Sequence, residues 1–356
     1  MHMIHVLIVD DSLTTREYLR HIIGSDPDFA IAGEAKNGEE ALYLAEREKP
    51  DVIIMDIQMP GMNGYDATRA IMEKCPAPIV IHSTLVAPDQ TQNIFKAMKA
   101  GAVAVVQKPP GIGHPEAASL TEKLLRTVRL MSEVKVVRLL KKKKSPASPS
   151  NQHLAAKQDR GSTGIIAIGA STGGPPIIQA ILENLEKDFT IPIVIVQHIA
   201  AGFLEGMVEW LSKTTHLPLR IPKTGEPIAG GHVYFAPANH YLTVTASRTF
   251  LLMKINHKEN LKRPISHLFS SIADIYKNAA IGVLLTGMGN DGVSGLKEMK
   301  DLGAVTIAQD KDSAIVFGMP GEAIKINAAT YVLCPEDITA YLNKISRDAQ
   351  GTFVHK

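Results

Sequence analysis

A serine on a predicted strand-to-helix turn is the first residue in this sequence that could carry out chemistry. Ser171 lies in the pattern G-x-S-x-G, formed by Gly169–Gly173. The apolar run Ile165–Ile168 predicts a buried parallel strand before it, and Pro175 is typical of the first turn of a helix. Free N–H groups at the start of that helix suit an oxyanion, so the stretch predicts a serine nucleophile for acyl transfer.

The same turn has two other interpretations when the motif is taken alone. It could be a purely structural turn, or it could bind the phosphate of a dinucleotide. The spacing is not G-x-G-x-x-G, and the next predicted strand, Ile193–Val196, ends in Gln197-His198. A dinucleotide site would have a ribose-binding acid there. The sequence therefore favours a serine nucleophile or a purely structural turn over a dinucleotide site.

A histidine and an aspartate follow two further predicted strands of the same half of the chain. His198 follows Ile193–Gln197, and Asp291 lies in the glycine-rich stretch after Ile281–Thr286. Each residue alone has a plain explanation, a loop or metal-binding histidine and a turn aspartate. Because the carboxyl ends of parallel strands meet at one edge of a sheet, we expect Ser171, His198 and Asp291 to lie together as a triad.

The first 140 residues carry a second constellation, made of carboxylates at strand ends. Asp10 and Asp11 follow one predicted strand and Asp56 ends another. Ser83 ends the fourth strand and Lys108 follows the fifth. Converging carboxylates repel one another unless a hard cation lies among them, and Mg²⁺ suits such oxygen ligands. A carboxylate beside Mg²⁺ and a lysine is arranged to attack a phosphoryl group.

Two α/β domains position these groups. Strands and helices alternate five times in residues 1–140, which predicts a (βα)5 doubly wound parallel sheet. Residues 164–350 predict a second α/β domain with a parallel sheet and a β-hairpin insertion formed by 225–237 with 242–245. Between them, residues 141–163 hold six basic residues and one acidic residue together with serine and proline, which is the composition of a linker.

Composition limits the class of protein further. The 356 residues are 45% hydrophobic, enough for two cores, and no apolar run approaches the length of a membrane span. The N-terminus lacks the form of a signal peptide, and the only cysteines, Cys75 and Cys334, form no metal-type cluster. We therefore expect a cytoplasmic protein. The run Lys141–Lys144 has no interleaved aromatic residues, so we expect a solvated linker rather than a nucleic-acid site.

Residues 4–125 resemble a two-component receiver domain. The resemblance lies in Val9–Ser12, Met55–Gly64, Ser83 and Lys108-Pro109. It implies that Asp56 is the phosphorylated residue and that Ser83 and Lys108 sense the acyl phosphate. It implies a Mg²⁺ site formed by Asp10, Asp11, Asp56 and the main-chain carbonyl of Gln58. It also implies a cis Lys108-Pro109 bond, and a last helix from Glu116 to Leu140.

The domain order, a receiver followed by a linker and a domain with the serine motif, resembles that of the CheB family of chemotaxis protein-glutamate methylesterases. The further motifs are Gly169–Gly174, Gln197-His198, Leu285–Gly292 and Gly318–Pro320. The resemblance implies Ser171 as the nucleophile, His198 as the general base and acid, and Asp291 as the residue that orients the imidazole. Backbone N–H groups of Thr172 and Met288 are implied as oxyanion donors. The sequence departs from the family pattern at Ile199–Leu204 and at Arg263–His267.

Two hypotheses of different classes follow from this resemblance. In the first, the protein is a phosphorylation-activated esterase that demethylates glutamyl methyl esters of chemotaxis receptors and deamidates glutamines, with a histidine kinase as phosphodonor. In the second, the triad is idle and the second domain is a phosphorylation-dependent binding module. A DNA-binding output has less support, because no helix-turn-helix pattern is present. The resemblance also implies a monomer without membrane insertion.

Overall fold

A computed structural model describes residues 3–83, 88–110, 115–134, 136, 163–199, 202–255 and 263–351. Most of the predicted linker, including Lys141–Lys144, lies outside these residues, so the boundaries at 140 and 164 stay predictions. Within the described ranges, every helix is too short or too polar to cross a membrane.

The N-terminal sheet has five parallel strands in the order β2-β1-β3-β4-β5. Its central strands are continuous apolar runs buried on both faces, as expected when helices cover both sides of a parallel sheet. The elements are β1 (Ile4–Val9), α1 (Leu13–Gly24), β2 (Phe29–Ala35), α2 (Gly38–Glu48), β3 (Val52–Met55), α3 (Gly64–Lys74), β4 (Ile79–Ser83), α4 (Pro88–Lys99), β5 (Ala104–Gln107) and α5 (Ala117–Ser132). The predicted (βα)5 fold is confirmed.

The last helix of this domain is shorter than the prediction to Leu140. It ends at Ser132, and the N–H of Val134 donates to the carbonyl of Met131 at 3.0 Å. This three-residue spacing tightens the final turn and ends the α-helix. The Lys108-Pro109 bond is trans, so the expected cis bond is wrong. Trans is also the ordinary preference of such bonds, by roughly 0.5–1 kcal/mol.

The C-terminal sheet has seven parallel strands in the order β14-β13-β12-β6-β7-β9-β8. Its strands are β6 (Ile165–Ala170), β7 (Ile193–Gln197), β8 (Leu219–Arg220), β9 (Val233–Phe235), β12 (Ala280–Leu284), β13 (Val305–Gln309) and β14 (Tyr331–Leu333). Its helices are α6 (Gly174–Glu183), α7 (Leu204–Ser212), α8 (Pro264–Tyr276), α9 (Val293–Asp301), α10 (Met319–Lys325) and α11 (Pro335–Gly351). The predicted parallel α/β sheet is confirmed.

The β-hairpin exists, but its strands differ from the prediction. The hairpin joins β10 (His240–Val244) to β11 (Phe250–Lys254) in antiparallel register. Val233–Phe235, expected in the hairpin, instead pairs parallel with β7 as strand β9. The reason is burial. All three residues of β9 are buried, which suits a sheet interior, whereas only alternate residues of β10 are fully buried.

The two domains pack against each other through helix α4. Phe95 of α4 is 1% exposed and belongs to a hydrophobic cluster that continues into α6 and α7 of the second domain. A second cluster, on the α1 and α5 side of the receiver sheet, contacts Met288 and Ile315 of the second domain. The receiver therefore touches both sides of the edge where β6, β7 and β12 end.

Candidate active site

Ser171 lies on a tight turn between β6 and α6. Gly173 has φ of 77°, in the left-handed region that favours glycine. Gly287, from the loop after β12, faces the serine so closely that a Cβ there would lie 2.6 Å from the Ser171 Cβ. Neither position has room for an ordinary residue. Gly173 of the predicted turn and Gly287 of the facing loop are therefore required by the local geometry, and Ser171 stays partly exposed.

The three predicted triad residues lie in one line of contacts. The Nδ1 atom of His198 lies 3.2 Å from Oγ of Ser171, and Nε2 lies 2.8 Å from Oδ2 of Asp291. The His198 N–H donates to the carbonyl of Ala170 at 2.9 Å, which joins the ends of β6 and β7. In a neutral ring whose Nε2–H donates to the carboxylate, Nδ1 is left to accept the serine proton.

Asp291 accepts hydrogen bonds from main-chain groups as well as from the histidine. The N–H groups of Ile265 and Ser266, at the start of α8, donate to its oxygens at 3.0 and 2.9 Å. Gly292 donates a third main-chain bond at 2.8 Å. Burial opposes ionisation, but the His198 ring and these amides hold the pKa of Asp291 below its ordinary value. A charged carboxylate is thereby available to orient the imidazole.

Helix α8 contributes to the site, although nothing predicted from the sequence placed it there. The stretch Arg263–His267 was interpreted only as a departure from a family pattern, although Pro264 is typical of the first turn of a helix. Helix α8 begins at Pro264, and its free N–H groups reach the carboxylate of Asp291. The proline could have predicted the helix start, but nothing local could have predicted its contact with Asp291.

The two expected oxyanion donors lie on either side of the serine. Thr172 follows it in the chain, and Met288 follows Gly287, which lies against the Ser171 Cβ. Among the main-chain hydrogen bonds of the described residues, neither the Thr172 N–H nor the Met288 N–H has an acceptor. Both groups can therefore donate to a substrate oxygen.

Two further polar residues, neither predicted as a site residue from the sequence, hold the serine turn. The Gln197 side-chain amide donates to the carbonyls of Ser171 and His198, at 2.8 and 3.0 Å. The Thr286 hydroxyl donates to the carbonyl of Thr172 at 2.9 Å, and the Thr286 carbonyl accepts from the Ser171 N–H at 3.0 Å. These bonds fix the backbone on both sides of the hydroxyl.

A cleft of about 530 Å³ opens beside Ser171 and His198, and the receiver forms part of its wall. Phe95 and Met98 of α4 and Arg126 of α5 line it together with residues of the second domain. Phe95 also stacks on Trp210 of α7, with ring centroids 5.0 Å apart. In this arrangement the receiver covers one side of the serine site.

The acidic residues of the receiver converge as expected from the sequence. Ligand atoms of Asp10, Asp11 and Asp56 lie within 4.8 Å of one another. The ammonium of Lys108 lies 2.7 Å from Oδ2 of Asp10 and 2.9 Å from Oδ2 of Asp56. Ser83 is buried at the end of β4, and the Lys108 N–H donates to its carbonyl at 2.9 Å. A cluster of carboxylate oxygens is the ligand set that Mg²⁺ prefers, so these residues fit that ion.

Burial and charge shift the titration of this pocket. Burial raises the pKa of the Asp56 carboxyl above its ordinary value, with a further contribution from Asp10 and against the opposing Lys108 charge. Burial alone would lower the pKa of Lys108, but Asp56 and Asp10 outweigh it and the pKa is raised. Lys108 is therefore held as a cation against the carboxylates.

An adjoining cavity of about 540 Å³ is lined by Gln58, Asp11 and Asn63.

Comparisons with known proteins match both halves of the chain. The family described as CheB methylesterase matches residues 166–342, and the response regulator receiver domain family matches residues 6–116. A protein-glutamate methylesterase/protein-glutamine glutaminase of Nitrosospira multiformis is 44% identical over 96% of this chain and 97% of its own length. A protein of the same name from Syntrophus aciditrophicus is also 44% identical, over 97% of this chain and 99% of its own. The solved catalytic domain of Thermotoga maritima CheB is 38% identical, with a TM-score of 0.49, over 52% of this chain and all of that one.

Proposed function

This chain belongs to the CheB methylesterase family with an N-terminal receiver domain, and we propose that it is a phosphorylation-activated enzyme of chemotactic adaptation. Its relatives carry the names of two activities, protein-glutamate methylesterase and protein-glutamine glutaminase. The substrates proposed here are γ-glutamyl methyl esters and glutamines of chemotaxis receptors. The proposed phosphodonor is a histidine kinase of the same pathway.

The proposed reaction begins with attack of the Ser171 hydroxyl on the ester carbonyl carbon. Nδ1 of His198 takes the hydroxyl proton, while Asp291 holds the ring through Nε2 and stabilises its positive charge. The N–H groups of Thr172 and Met288 bind the oxyanion, each contributing about 3–4 kcal/mol of transition-state stabilisation in comparable sites. The tetrahedral intermediate then collapses, the carbon–oxygen bond to the methoxy group breaks, and His198 returns its proton to the leaving methanol.

Hydrolysis of the acyl-enzyme follows the same route with water as the nucleophile. His198 accepts a proton from water, hydroxide adds to the acyl carbon, and the bond to Oγ breaks as the serine regains its proton. The product is the free glutamate side chain. With a glutamine substrate, ammonia leaves in place of methanol, so one site serves both activities.

The single observation that carries this proposal is the contact line from Oγ of Ser171 through His198 to Asp291, at 3.2 and 2.8 Å. Additional support is the location of this line beside a cleft partly walled by α4 and α5 of the receiver. A binding module would have no need of two unpaired N–H groups next to an aligned serine. The contacts therefore favour turnover over capture.

Regulation is proposed to act through the receiver that covers the cleft. Asp10, Asp11 and Asp56, with the main-chain carbonyl of Gln58, would hold a Mg²⁺ ion, which supplies positive charge to the phosphoryl group when bound. Asp56 is the proposed phosphoryl acceptor, and Ser83 and Lys108 are proposed to bind the phosphoryl oxygens. A coupling of about 1–3 kcal/mol between this pocket and the domain interface would open the cleft several-fold to a hundredfold more often.

The proposal also includes a monomer that acts in the cytoplasm, with no DNA partner and no cofactor for the ester reaction. The domains proposed are residues 1–140 and 164–350, joined by the linker 141–163.

The experiment is methanol release from a methylated receptor fragment, with Mg²⁺ and with or without a small-molecule phosphodonor. We expect release that rises with the phosphodonor, that no longer rises in Asp56→Ala, and that is lost in Ser171→Ala. Capture of the receptor fragment without methanol release, at confirmed phosphorylation of Asp56, would contradict the esterase and favour the binding module. Ammonia release from a glutamine-containing fragment measures the second activity.

A further inference from the structure

Each of the two proposed oxyanion donors belongs to a peptide group whose carbonyl is held from the opposite side. The N–H of Thr172 shares a peptide plane with the Ser171 carbonyl, which accepts from the Gln197 side chain at 2.8 Å and from the Gly174 N–H at 2.9 Å. The N–H of Met288 shares a plane with the Gly287 carbonyl, which accepts from the Met319 N–H at 2.9 Å. No described peptide bond is cis.

Because the peptide group is planar, the contacts of these carbonyls also determine the direction of the N–H groups. In a trans peptide the C=O and N–H bonds point in opposite directions within one plane. A donor that fixes the carbonyl therefore also aims the N–H on the far side. The same contact polarises the peptide group, which strengthens the N–H as a donor.

Gln197 is the only side chain among the donors to these two carbonyls in the described structure. Its amide also donates to the His198 carbonyl at 3.0 Å, so one group holds the backbone of both the proposed nucleophile and the proposed base. The side chain is buried, and a Cβ at Gly174 would lie 2.1 Å from its Oε1. Gln197 is thus confined in a space that only a glycine at position 174 allows.

The orientation of this amide leaves one of its polar atoms without a hydrogen bond. Its Oε1 atom is buried without a hydrogen-bond partner among the described residues. A buried acceptor without a partner is unfavourable for the folded state. Turning the amide over would bring Oε1 against the carbonyl oxygens of Ser171 and His198, so the NH₂ group must face them. The two carbonyls therefore determine the orientation of the Gln197 amide.

We propose that Gln197 is a positioning residue that aims the Thr172 N–H at the developing oxyanion and holds His198 in register with Ser171. This role rests on the ester hydrolysis proposed above. It acts through the backbone, without contact between Gln197 and the substrate. The expected consequence is selective, because the bond from a misaimed N–H is lost mainly in the transition state.

The test compares Gln197→Met with Gln179→Met in the full, phosphorylated chain. Gln179 is also a buried glutamine, in α6, but its amide donates at 3.3 Å to the hydroxyl of Thr214, away from the serine turn. We expect Gln197→Met to lower kcat about 10- to 100-fold with KM within about twofold, since full loss of an oxyanion donor costs roughly 10²–10³. Gln179→Met should retain the wild-type kcat.

A spectroscopic reading separates aiming from a general effect on folding. The infrared carbonyl stretch of the acyl-enzyme reports the strength of hydrogen bonding in the oxyanion site. We expect this band to move to higher frequency in Gln197→Met and to stay in place in Gln179→Met. A loss of kcat with an unchanged carbonyl band would overturn the proposal.

A second variant covers the case in which Gln197→Met does not fold. Gln197→Glu keeps the shape, but its carboxylate repels both carbonyls at neutral pH and can donate one hydrogen bond only when protonated. The ratio of its kcat to that of the wild type should therefore recover as the pH falls. A ratio independent of pH would contradict the proposal. If Gln197→Met has the kcat of the wild type and Ser171→Ala is inactive, only the proposed role of Gln197 is rejected. If the wild type itself is inactive, the proposed esterase is rejected.

Discussion

The ring of Phe95 in the receiver stacks on the ring of Trp210 in the second domain, with centroids 5.0 Å apart and planes inclined by 16°. Both rings are buried, at 1% and 7% exposure. Trp210 lies on α7, the helix that follows His198, and Phe95 lines the cleft next to Ser171. A change in the receiver that separates these two rings would therefore also open the serine site.

Removal of this contact should activate the enzyme without phosphorylation. Phe95→Ala deletes a buried ring, a change that typically costs about 3–5 kcal/mol, part of which stabilises the closed arrangement of the domains. We expect methanol release without phosphodonor to rise at least tenfold. The measurement is made in an Asp56→Ala background, so that phosphorylation cannot contribute.

Ile22→Ala is the matched control for this prediction. Ile22 is 4% exposed in α1 of the same domain and lies outside both hydrophobic clusters that reach the second domain. It should destabilise the receiver without raising the basal rate. An equal rise in both variants would mean that receiver stability, rather than the Phe95–Trp210 contact, holds the cleft closed.

Trp210 also offers a direct reading of the interface, because it is the only tryptophan in the sequence. Hydration of a buried indole shifts its fluorescence to longer wavelength. We expect such a shift when phosphodonor and Mg²⁺ are added to the wild type, and no shift in Asp56→Ala. Activation with unchanged emission would show that the domains separate elsewhere.

Asp291→Asn should abolish most of the activity while the fold persists. Oδ2 of Asp291 accepts from His198 and Ile265, and Oδ1 accepts from Ser266 and Gly292. An amide NH₂ in either place would meet two donors, which displaces the imidazole or the start of α8. We expect kcat to fall on the order of 10⁴-fold, as in comparable triads. The control is Asp188→Asn, at an exposed aspartate, which should remain active. A loss of less than tenfold in kcat in Asp291→Asn would contradict the triad.

His82 should make the protein less stable in mild acid. It is buried in β4 beside Val106 of β5, and neither ring nitrogen has a hydrogen-bond partner among the described residues. Burial, with a smaller effect of the Lys108 charge, lowers the pKa of His82 to about 3 from 6.5. Below pH 6.5, His82 binds a proton in the unfolded chain but stays neutral in the folded chain. The free energy of unfolding therefore decreases as the pH falls below that value.

The magnitude follows from this difference in pKa. Between pH 7.5 and 5.5 the group should lower the free energy of unfolding by about 1.4 kcal/mol. His82→Leu should remove that part of the pH dependence, as measured by urea unfolding at the two pH values. The control is His21→Leu, an exposed histidine in α1. Equal pH dependence in wild type and His82→Leu would contradict the prediction.

The sequence alone determined which residues end the strands, and that was enough to bring the predicted groups together. Ser171 and His198 follow apolar runs that become β6 and β7, and Asp10 and Asp56 follow β1 and β3. Parallel strands place their carboxyl ends on one edge of a sheet, so a local pattern of apolar residues carries information about a distant contact. The hairpin was misplaced because three apolar residues do not distinguish a sheet interior from a hairpin strand.

Tertiary structure alone decided the contacts that depend on how complete elements pack. The amides of Ile265 and Ser266 reach Asp291 because α8 packs with its first turn against the loop after β12. The Gln197 amide turns toward two carbonyls, and Phe95 meets Trp210 across the domain interface. Such contacts leave no periodic pattern in the sequence, because each depends on the relative placement of two elements that are far apart along the chain.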